Sequence, residues 1–455
     1  MFTAAQLDAI IKAYDIRGLV DGEVTSEFAF ALGCAYAKFL EEEGEPSTIV
    51  IGEDMRPSSP HLAGAFADGA ISRGFDVIRI GLASTDLLYF AAGKLNLPGA
   101  MFTASHNPAE YNGIKLCKSG ARPIGKESGL LRIREFILSG VDSKTCAAGT
   151  SHERPMLEEY VNFLMSLFDP EAVAASRRLK VVVDAGNGMA GFTAPAVMSK
   201  LNVDLTSMYF ELDGTFPNHE ANPIEPTNLV DLQQKVVSEQ ADIGLAFDGD
   251  ADRCFLVDEK GQLVNPSTLT ALIAVRELKA HPGSTIIYNL ISSRSVPEIV
   301  AEHGGTSVRS RVGHSYIKKL MAETGAIFGG EHSGHFYFGN FWRADSGMLA
   351  ALYALSELAA SDNPLSELLA PYNRYVSSGE INTKVESTQD SLAFIKATFE
   401  KDYPVDDLDG FTITGPDWWF NVRGSNTEPL LRLNVEAASR EQMERVRDQL
   451  LALIR

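Results

Sequence analysis

The sequence predicts an α/β protein: three successive α/β units with mixed, mostly parallel sheets, followed by a smaller C-terminal α+β domain. Short apolar runs alternate with amphipathic segments as far as Pro371, the pattern of helices covering parallel strands. The alternation restarts at intervals of roughly 110 residues, as successive related units would. Beyond Pro371 closely spaced strand-like runs take over and one helix closes the chain. The 455 residues, at about 150 per domain, allow two to four domains. The breaks give units 1–148, 149–260, 261–370 and 371–455.

In the first unit, Ala13–Gly18 reads as a strand entering a turn, with Arg17 at its end. Ser26 to Glu42 places Phe28, Leu32, Ala35, Tyr36 and Phe39 on one helical face. Thr48–Ile51 is a buried strand with the polar exit loop Glu53-Asp-Met-Arg-Pro-Ser-Ser59, and a helix follows to Ser72, closed by Gly74. Strand Asp76–Ile80 and helix Thr85–Leu95 come next. Pro98-Gly-Ala-Met-Phe102 is then a short buried strand that delivers Thr103-Ala-Ser-His-Asn-Pro108 at its exposed end. Asn112-Gly113 reads as a turn returning Lys115 towards Ser105. The polar stretch Ser139–Arg154 reads as a linker.

The second unit takes helix Leu157–Phe168, strand Leu179–Asp184, helix Met189–Leu201, strand Val203–Phe210 and helix Thr227–Glu239. Strand Ile243–Phe247 then runs into Asp248-Gly-Asp-Ala-Asp-Arg253. The third takes helix Ser267–Lys279, strand Ile286–Leu290, helix Ser293–His303, strand Ser307–Val312 and helix His314–Glu323. It ends with Phe328-Gly-Gly-Glu-His-Ser-Gly-His335 and helix Asp345–Ala360. In the last domain, strands Gly379–Val385 and Phe411–Thr414 precede Trp418–Val422 and Leu430–Val435, which flank Arg423-Gly-Ser-Asn-Thr-Glu-Pro429. Ser439-Arg-Glu-Gln442 is a capping box opening the final helix.

Composition excludes several classes. Hydrophobic content of 45% and charged content of 22% are those of a soluble globular protein with ample core. Sixty acidic against 40 basic side chains give a net charge of −20, which repels nucleic acid and anionic membrane surfaces, so neither is an expected partner. Charges interrupt every apolar run before the roughly 18 residues a membrane span needs. Cys34, Cys117, Cys146 and Cys254 form no C-x-x-C pair, and the N-terminus lacks a basic leader. Both point to the reducing cytoplasm.

Four loops carry chemistry. Thr103–Pro108 holds a hydroxyl, Ser105, beside an imidazole, His106. Asp248, Asp250 and Asp252, with small residues between them, can wrap one hard cation through oxygen, leaving Arg253 for an anion. An EF-hand fails because Arg253 stands where the sharp turn needs glycine and the flanks are strand-like. Gly330-Glu-His-Ser-Gly-His335 offers Glu331, Ser333 and His335 on a flexible turn suited to vicinal sugar hydroxyls. Arg423, Ser425, Asn426 and Thr427, with Gly424, have the makings of a phosphate cradle. Arg17, Lys115 and His314 are further cations at strand or helix ends. Gly186, Gly188 and Gly191 fit a dinucleotide fingerprint, but in the second unit and without a defined acidic partner about 20 residues on, so a tight strand-to-helix turn is the better account of them.

In this order and spacing, the four loops resemble the α-D-phosphohexomutase superfamily, most of all its bacterial phosphomannomutase/phosphoglucomutase branch, over essentially the whole chain. The resemblance implies four domains around a central cleft and a mutase interconverting hexose 1-phosphate and 6-phosphate, of mannose and/or glucose. It implies a phosphoserine at Ser105 that, with Asp248, Asp250 and Asp252, holds one magnesium ion per chain. The phosphate would pass to the sugar and return from a hexose 1,6-bisphosphate, which also serves as activator. Glu331 and Ser333 would grip ring hydroxyls, and Arg423, Ser425, Asn426 and Thr427 the distal phosphate. Arg17, Lys115, His314 and His335 would be the candidates for general acid and base, with Lys115 or a histidine the better base, and His106 would steady the phosphate. It further implies a monomer or weak homodimer. In Asn289–Arg294, Ile291 stands where some relatives have lysine, and Arg294 is a candidate substitute. The competing expectations are a phosphoglucosamine mutase, a dinucleotide-dependent oxidoreductase and a cation-binding regulatory protein.

Overall fold

The structure, a computed structural model, describes residues 2–141, 147–168, 177–424 and 430–454. It divides into two compact units, Met1–Val264 with Ser333–Leu368, and Asn265–His332 with Leu369–Arg455. The α/β class and the antiparallel C-terminal sheet agree with the sequence reading.

The first unit contains two sheets. In the larger one, strands Thr48–Glu53, Asp76–Leu82 and Gly99–Phe102 run parallel around Thr48–Glu53. Tyr111–Lys118 joins antiparallel beside Gly99–Phe102, and Ile16–Leu19 closes that edge. Helices Ser26–Glu42 and Ser59–Ser72 cover the sheet, burying Phe28, Leu32, Tyr36, Phe39 and Phe66 in one core with Ile49, Ile51 and Phe102. The helix starts obey local chemistry: Thr25 and Ser84, in extended conformation, each accept a backbone N–H from the first turn they cap.

Two expectations need correction here. Asn112-Gly113 is not a turn but lies inside strand Tyr111–Lys118. Its glycine is required by close approach, since a Cβ on Gly113 would lie 2.3 Å from the Ile16 carbonyl oxygen. Asn112 turns its amide inward to Ser58 and Ser59, at 2.7 and 3.0 Å. Tertiary demand has overridden a turn-type dipeptide. The supposed linker also contributes a strand, Ser151–Glu153, which pairs parallel with Asp76–Leu82; its residues 142–146 lie outside the described set.

The second sheet orders Cys254–Asp258, Ile243–Phe247, Leu179–Asp184 and Val203–Met208. The first pair is antiparallel, with Phe247 opposite Cys254, so residues 248–253 are the loop of a hairpin. Cys254–Asp258 went unread because its buried run CFLVD has no alternation to mark it.

Beside this sheet, His219 carries a pH-dependent contribution. Its Nε2 is 3.0 Å from Asp184 Oδ2 and its Nδ1 2.8 Å from the Glu220 carbonyl, so both nitrogens face acceptors. Burial works against the charged ring, but the Asp184 contacts outweigh it and raise the pKa. A raised folded-state pKa stabilises fully below the unfolded value of about 6.5, and the gain is lost as pH climbs through the folded value. His219→Gln therefore costs about 1.5–3 kcal/mol at pH 5 and progressively less towards pH 9. Thermal unfolding of both proteins across that range checks it; a gap that widens with pH contradicts it.

In the other unit, Thr285–Asn289 runs parallel to Thr306–Ser310 and Phe328–Gly330. The last domain is a five-stranded antiparallel sheet, Val376–Lys384, Leu430–Ala437, Trp418–Gly424, Phe411–Thr414 and Val405–Asp406. Helices Thr388–Phe399 and Arg440–Ile454 pack Ile395, Phe399, Met443, Val446 and Leu450 into its core. The former helix was not foreseen; the latter begins with Ser439 accepting from Gln442 N, as expected. Among the described residues no helix is long and apolar enough to cross a membrane.

Candidate active site

The Ser105 corner is tightly built and, contrary to the exposed strand end expected from the sequence, buried: Ser105 is 4% exposed, because Arg56 and the acidic loop close over it. Strand Gly99–Phe102 is buried throughout, and three residues later Ser105 takes φ +50°, the left-handed region that costs a non-glycine residue roughly 1 kcal/mol. Its N–H donates to Thr103 Oγ1 at 2.9 Å. Beneath the loop lies Arg56, 1% exposed, whose guanidinium donates to four carbonyls: Pro108 and Tyr111 at 2.8 Å, Ser105 at 3.0 Å and Asn107 at 2.6 Å. Asp54 lies 3.3 Å from Arg56 Nε and balances the charge. Burial lowers the Arg56 pKa and raises that of Asp54, each opposed by its partner. Arg17 reaches the same loop, donating to Asn107 Oδ1 at 2.6 Å and pairing with Asp15 at 2.5 Å.

Ser105 Oγ meets both expected partners, donating to Asp248 Oδ2 at 2.8 Å and lying 3.0 Å from His106 Nδ1. The two loops pack backbone to backbone: a Cβ on Gly249 would sit 2.3 Å from the Ser105 carbonyl oxygen. Gly188 abuts the same loop, with a Cβ there falling 2.7 Å from the Gly249 oxygen, and Met189 N donates to that oxygen at 2.8 Å. Close packing against the acidic loop thus accounts for a glycine of the dinucleotide-like fingerprint.

Asp248, Asp250 and Asp252 are all buried, each offering one oxygen within 4.8 Å of the others. Lys115 Nζ bonds Asp250 and Asp252 at 2.6 Å each, and Arg253 Nε bonds Asp248 at 2.8 Å. Burial pushes the Asp248 carboxyl up to about 7, its two acidic neighbours adding to the effect and Arg253 opposing it. Burial likewise opposes charge on Asp250, yet Lys115 outweighs it and keeps that carboxyl below its ordinary range. Burial would lower Lys115, but Asp250 and Asp252 hold it well above its usual value, so it stands as an ammonium beside the acidic loop. His106 is shifted well down by burial, with Arg253 and Arg17 adding to it, and stays neutral.

Among the described residues, Oδ1 of Asp250 and Oδ1 of Asp252 are buried without a hydrogen-bond partner, as is Nη2 of Arg253. Unsatisfied carboxylate oxygens within one acidic cluster are what a hard divalent cation requires. The donor set fits. Glu259, at the EF-hand's last ligand position, instead pairs with Ser366 N at 3.0 Å.

Two of the sugar-loop residues belong to this unit. His335 forms a backbone bridge with Arg253, and Cys254 N donates to the Gly334 carbonyl at 3.1 Å. His335 Nδ1 lies 3.0 Å from Asp345 and 3.7 Å from Asp252. Ser333 is half-buried on the same turn.

In the other unit, Glu331 is buried and accepts from Gly313 N at 3.1 Å, immediately before helix His314–Thr324. The His314 side chain and residues Ser425, Asn426 and Thr427 lie outside the described set. Arg423 is buried, paired with Glu380 at 2.5 Å, and stands directly opposite Arg432 in the sheet. Arg432 lies 3.4 Å from the same carboxylate, and Nη1 of Arg423 and Nε of Arg432 have no hydrogen-bond partner among the described residues. Burial lowers the Arg423 pKa against the pull of Glu380. Ile291 is buried, and the Arg294 guanidinium lies over the Tyr375 ring at 5.2 Å, with Nε 3.8 Å from Glu298.

Sequence reasoning missed Arg56, Asp345, Glu380 and Arg432, supporting residues outside the motifs. The one available signal was Arg56, a charge in the exit loop of a buried strand.

Comparison with known proteins decides the family. Residues 8–140, 158–261, 265–375 and 380–453 match, in order, phosphoglucomutase/phosphomannomutase alpha/beta/alpha domains I, II and III and the C-terminal domain. The chain belongs to the phosphoglucomutase/phosphomannomutase family. This mutase is 38% identical over 436 residues to a phosphomannomutase of Salmonella montevideo, covering 94% of each chain. It is 36% identical to the phosphomannomutase/phosphoglucomutase of Pseudomonas aeruginosa over 448 residues, 96% of this chain and 94% of that one. A crystal structure of a phosphoglucomutase/phosphomannomutase family protein from Burkholderia thailandensis superposes with a TM-score of 0.89 at 32% identity, covering 100% of this chain and 97% of that one. The mutase is accordingly an isomerase-class enzyme that transfers a phosphoryl group within its substrate.

Proposed function

We propose that this mutase interconverts the 1- and 6-phosphates of mannose and/or glucose, using Ser105 as its phosphate carrier. The observation that supports it most directly is Ser105 Oγ, set 2.8 Å from Asp248 on a backbone corner braced by Arg56. A Ser–His pair could also belong to an acyl-transfer site, but three buried carboxylates and an ammonium around the hydroxyl suit a phosphoryl group.

In this reading Asp248, Asp250 and Asp252 would hold one magnesium ion together with the phosphate on Ser105. Bound there, magnesium would neutralise phosphoryl charge. The chain's own groups do the rest. Lys115 and Arg253 supply positive charge beside the phosphoserine, which carries −1.5 to −2. Neutral His106 accepts or shares a hydrogen bond at the serine oxygen. His335, oriented by Asp345, and His314 are candidates to move the hydroxyl proton, as is Arg17 to bind phosphate. Glu331 and Ser333 take ring hydroxyls, and Arg423, Ser425, Asn426 and Thr427 take the distal phosphate. The phosphoserine donates to the free hydroxyl, the hexose 1,6-bisphosphate turns over, and its other phosphate returns to Ser105. Added hexose 1,6-bisphosphate re-phosphorylates enzyme that has lost its phosphate, hence its role as activator.

The four functional domains, 1–148, 149–260, 261–370 and 371–455, each bring one loop. The matched family domains support that division. A cytoplasmic monomer or weak homodimer is the expected form, and the buried thiols of Cys34, Cys117 and Cys254 suit a reducing compartment.

The test compares glucose, mannose and glucosamine 1-phosphates with magnesium and catalytic bisphosphate, alongside peptide mass analysis. Turnover of the glucose or mannose ester and one phosphate on Ser105 are expected. Preference for the glucosamine ester would make it a phosphoglucosamine mutase, and absence of phosphoserine after bisphosphate treatment would remove the mechanism.

A further inference from the structure

Asp86 is a buried carboxylate for which the mechanism has no use. It is 1% exposed and collects three hydroxyl donors from three elements. Ser84 donates to Oδ1; Tyr160 and Ser346 donate to Oδ2, each at 2.6 Å. Burial pushes its carboxyl up to about 6 against those hydrogen bonds, so the arrangement carries a standing cost.

Two of the donors are helix caps. Ser84 opens helix Thr85–Leu95 and accepts Leu87 N at 3.3 Å; Ser346 opens helix Gly347–Ala359 and accepts Leu349 N at 3.0 Å. A hydroxyl has one proton, and each serine gives it to Asp86 while its lone pairs cap the helix. One carboxylate therefore fixes the rotamers that start two helices.

The chain neighbours of those caps both grip the site. Thr85 follows Ser84 and binds Asp250 twice, N–H to the backbone oxygen at 2.9 Å and Oγ1 to Oδ2 at 2.6 Å. On Asp250 that leaves Oδ1 buried with no hydrogen bond among the described residues. Asp345 precedes Ser346 and lies 3.0 Å from His335 Nδ1. At the second helix start, a Cβ on Gly347 would fall 2.7 Å from the Arg253 carbonyl, so this helix also abuts the acidic loop.

We infer that Asp86 is a positioning residue: through Ser84–Thr85 and Asp345–Ser346 it aims the Asp250 carboxylate and the His335 ring, and so sets the cation affinity of the acidic loop. The inference rests on the magnesium reading above. Groups behind the ligands characteristically change metal affinity about 10–100-fold when removed.

The test is magnesium titration of the full chain by calorimetry, with thermal unfolding in parallel. Asp86→Asn and Thr85→Val are each expected to weaken magnesium binding about 10-fold or more, and Thr85→Ser, which restores the hydroxyl, to recover it. Variants that melt lower but bind magnesium as the wild type does would reduce Asp86 to a structural hub and overturn the inference. Should Asp86→Asn fail to fold, the Thr85 pair decides alone. A wild-type protein that binds no magnesium would remove the metal reading itself, and this inference with it.

Discussion

Ser105→Ala lowers mutase turnover by roughly 10⁴-fold or more, the scale on which loss of a covalent carrier acts. The fold survives it. Alanine retains the backbone N–H that bonds Thr103 and the carbonyl that Arg56 holds, and loses the hydroxyl between Asp248 and His106. Mass analysis after incubation with hexose 1,6-bisphosphate should show no phosphate on that peptide. Ser105→Gly separates chemistry from strain in the same corner. At φ +50° glycine has no Cβ to clash, so this variant is equally inactive but melts at or above the alanine protein. A glycine variant clearly less stable than alanine would mean the left-handed backbone stores no strain, and appreciable turnover by either variant would sink the carrier role.

Arg56→Met produces the largest loss of stability among single changes near the site, about 3–5 kcal/mol. Four carbonyls lose their donor together, and Asp54 is left as a buried carboxylate without its counter-charge. Arg56→Lys rescues little, because one ammonium cannot reproduce a planar fork that serves four oxygens. Denaturant unfolding measures the cost, and uptake of phosphate at Ser105 reports the corner separately. An arginine-free variant with native stability and full phosphate uptake would show that the loop holds its shape unaided.

These two residues also mark how far the sequence could be read. Ser105 was legible because its chemistry is concentrated in six consecutive residues at the end of an apolar run. The acidic loop was legible for the same reason, and its strand-like flanks distinguished it correctly from an EF-hand. Arg56 was visible but uninterpretable, since the four carbonyls it serves lie 49 to 55 residues away in the chain and leave no side-chain pattern to read. Asn112-Gly113 misled because a local turn preference yielded to strand pairing and to the close approach of Ile16. Asp345, Asp86 and Thr85 sit at helix starts, where serine, threonine and aspartate are ordinary caps. No pattern separates a cap from a cap that also contacts the acidic loop. The parallel core was readable from burial alone, whereas helix Thr388–Phe399, with a thin apolar face of two buried residues, was not.

The hairpin that carries the acidic loop has a consequence for synthesis. Domains mature from the N-terminus as the chain leaves the ribosome, and a hairpin closes within microseconds of emerging. Lys115, Thr85 and Ser105, which bind the three-aspartate loop, precede it by 135, 165 and 143 residues. Chain order therefore presents the ammonium and the hydroxyls before the carboxylates arrive.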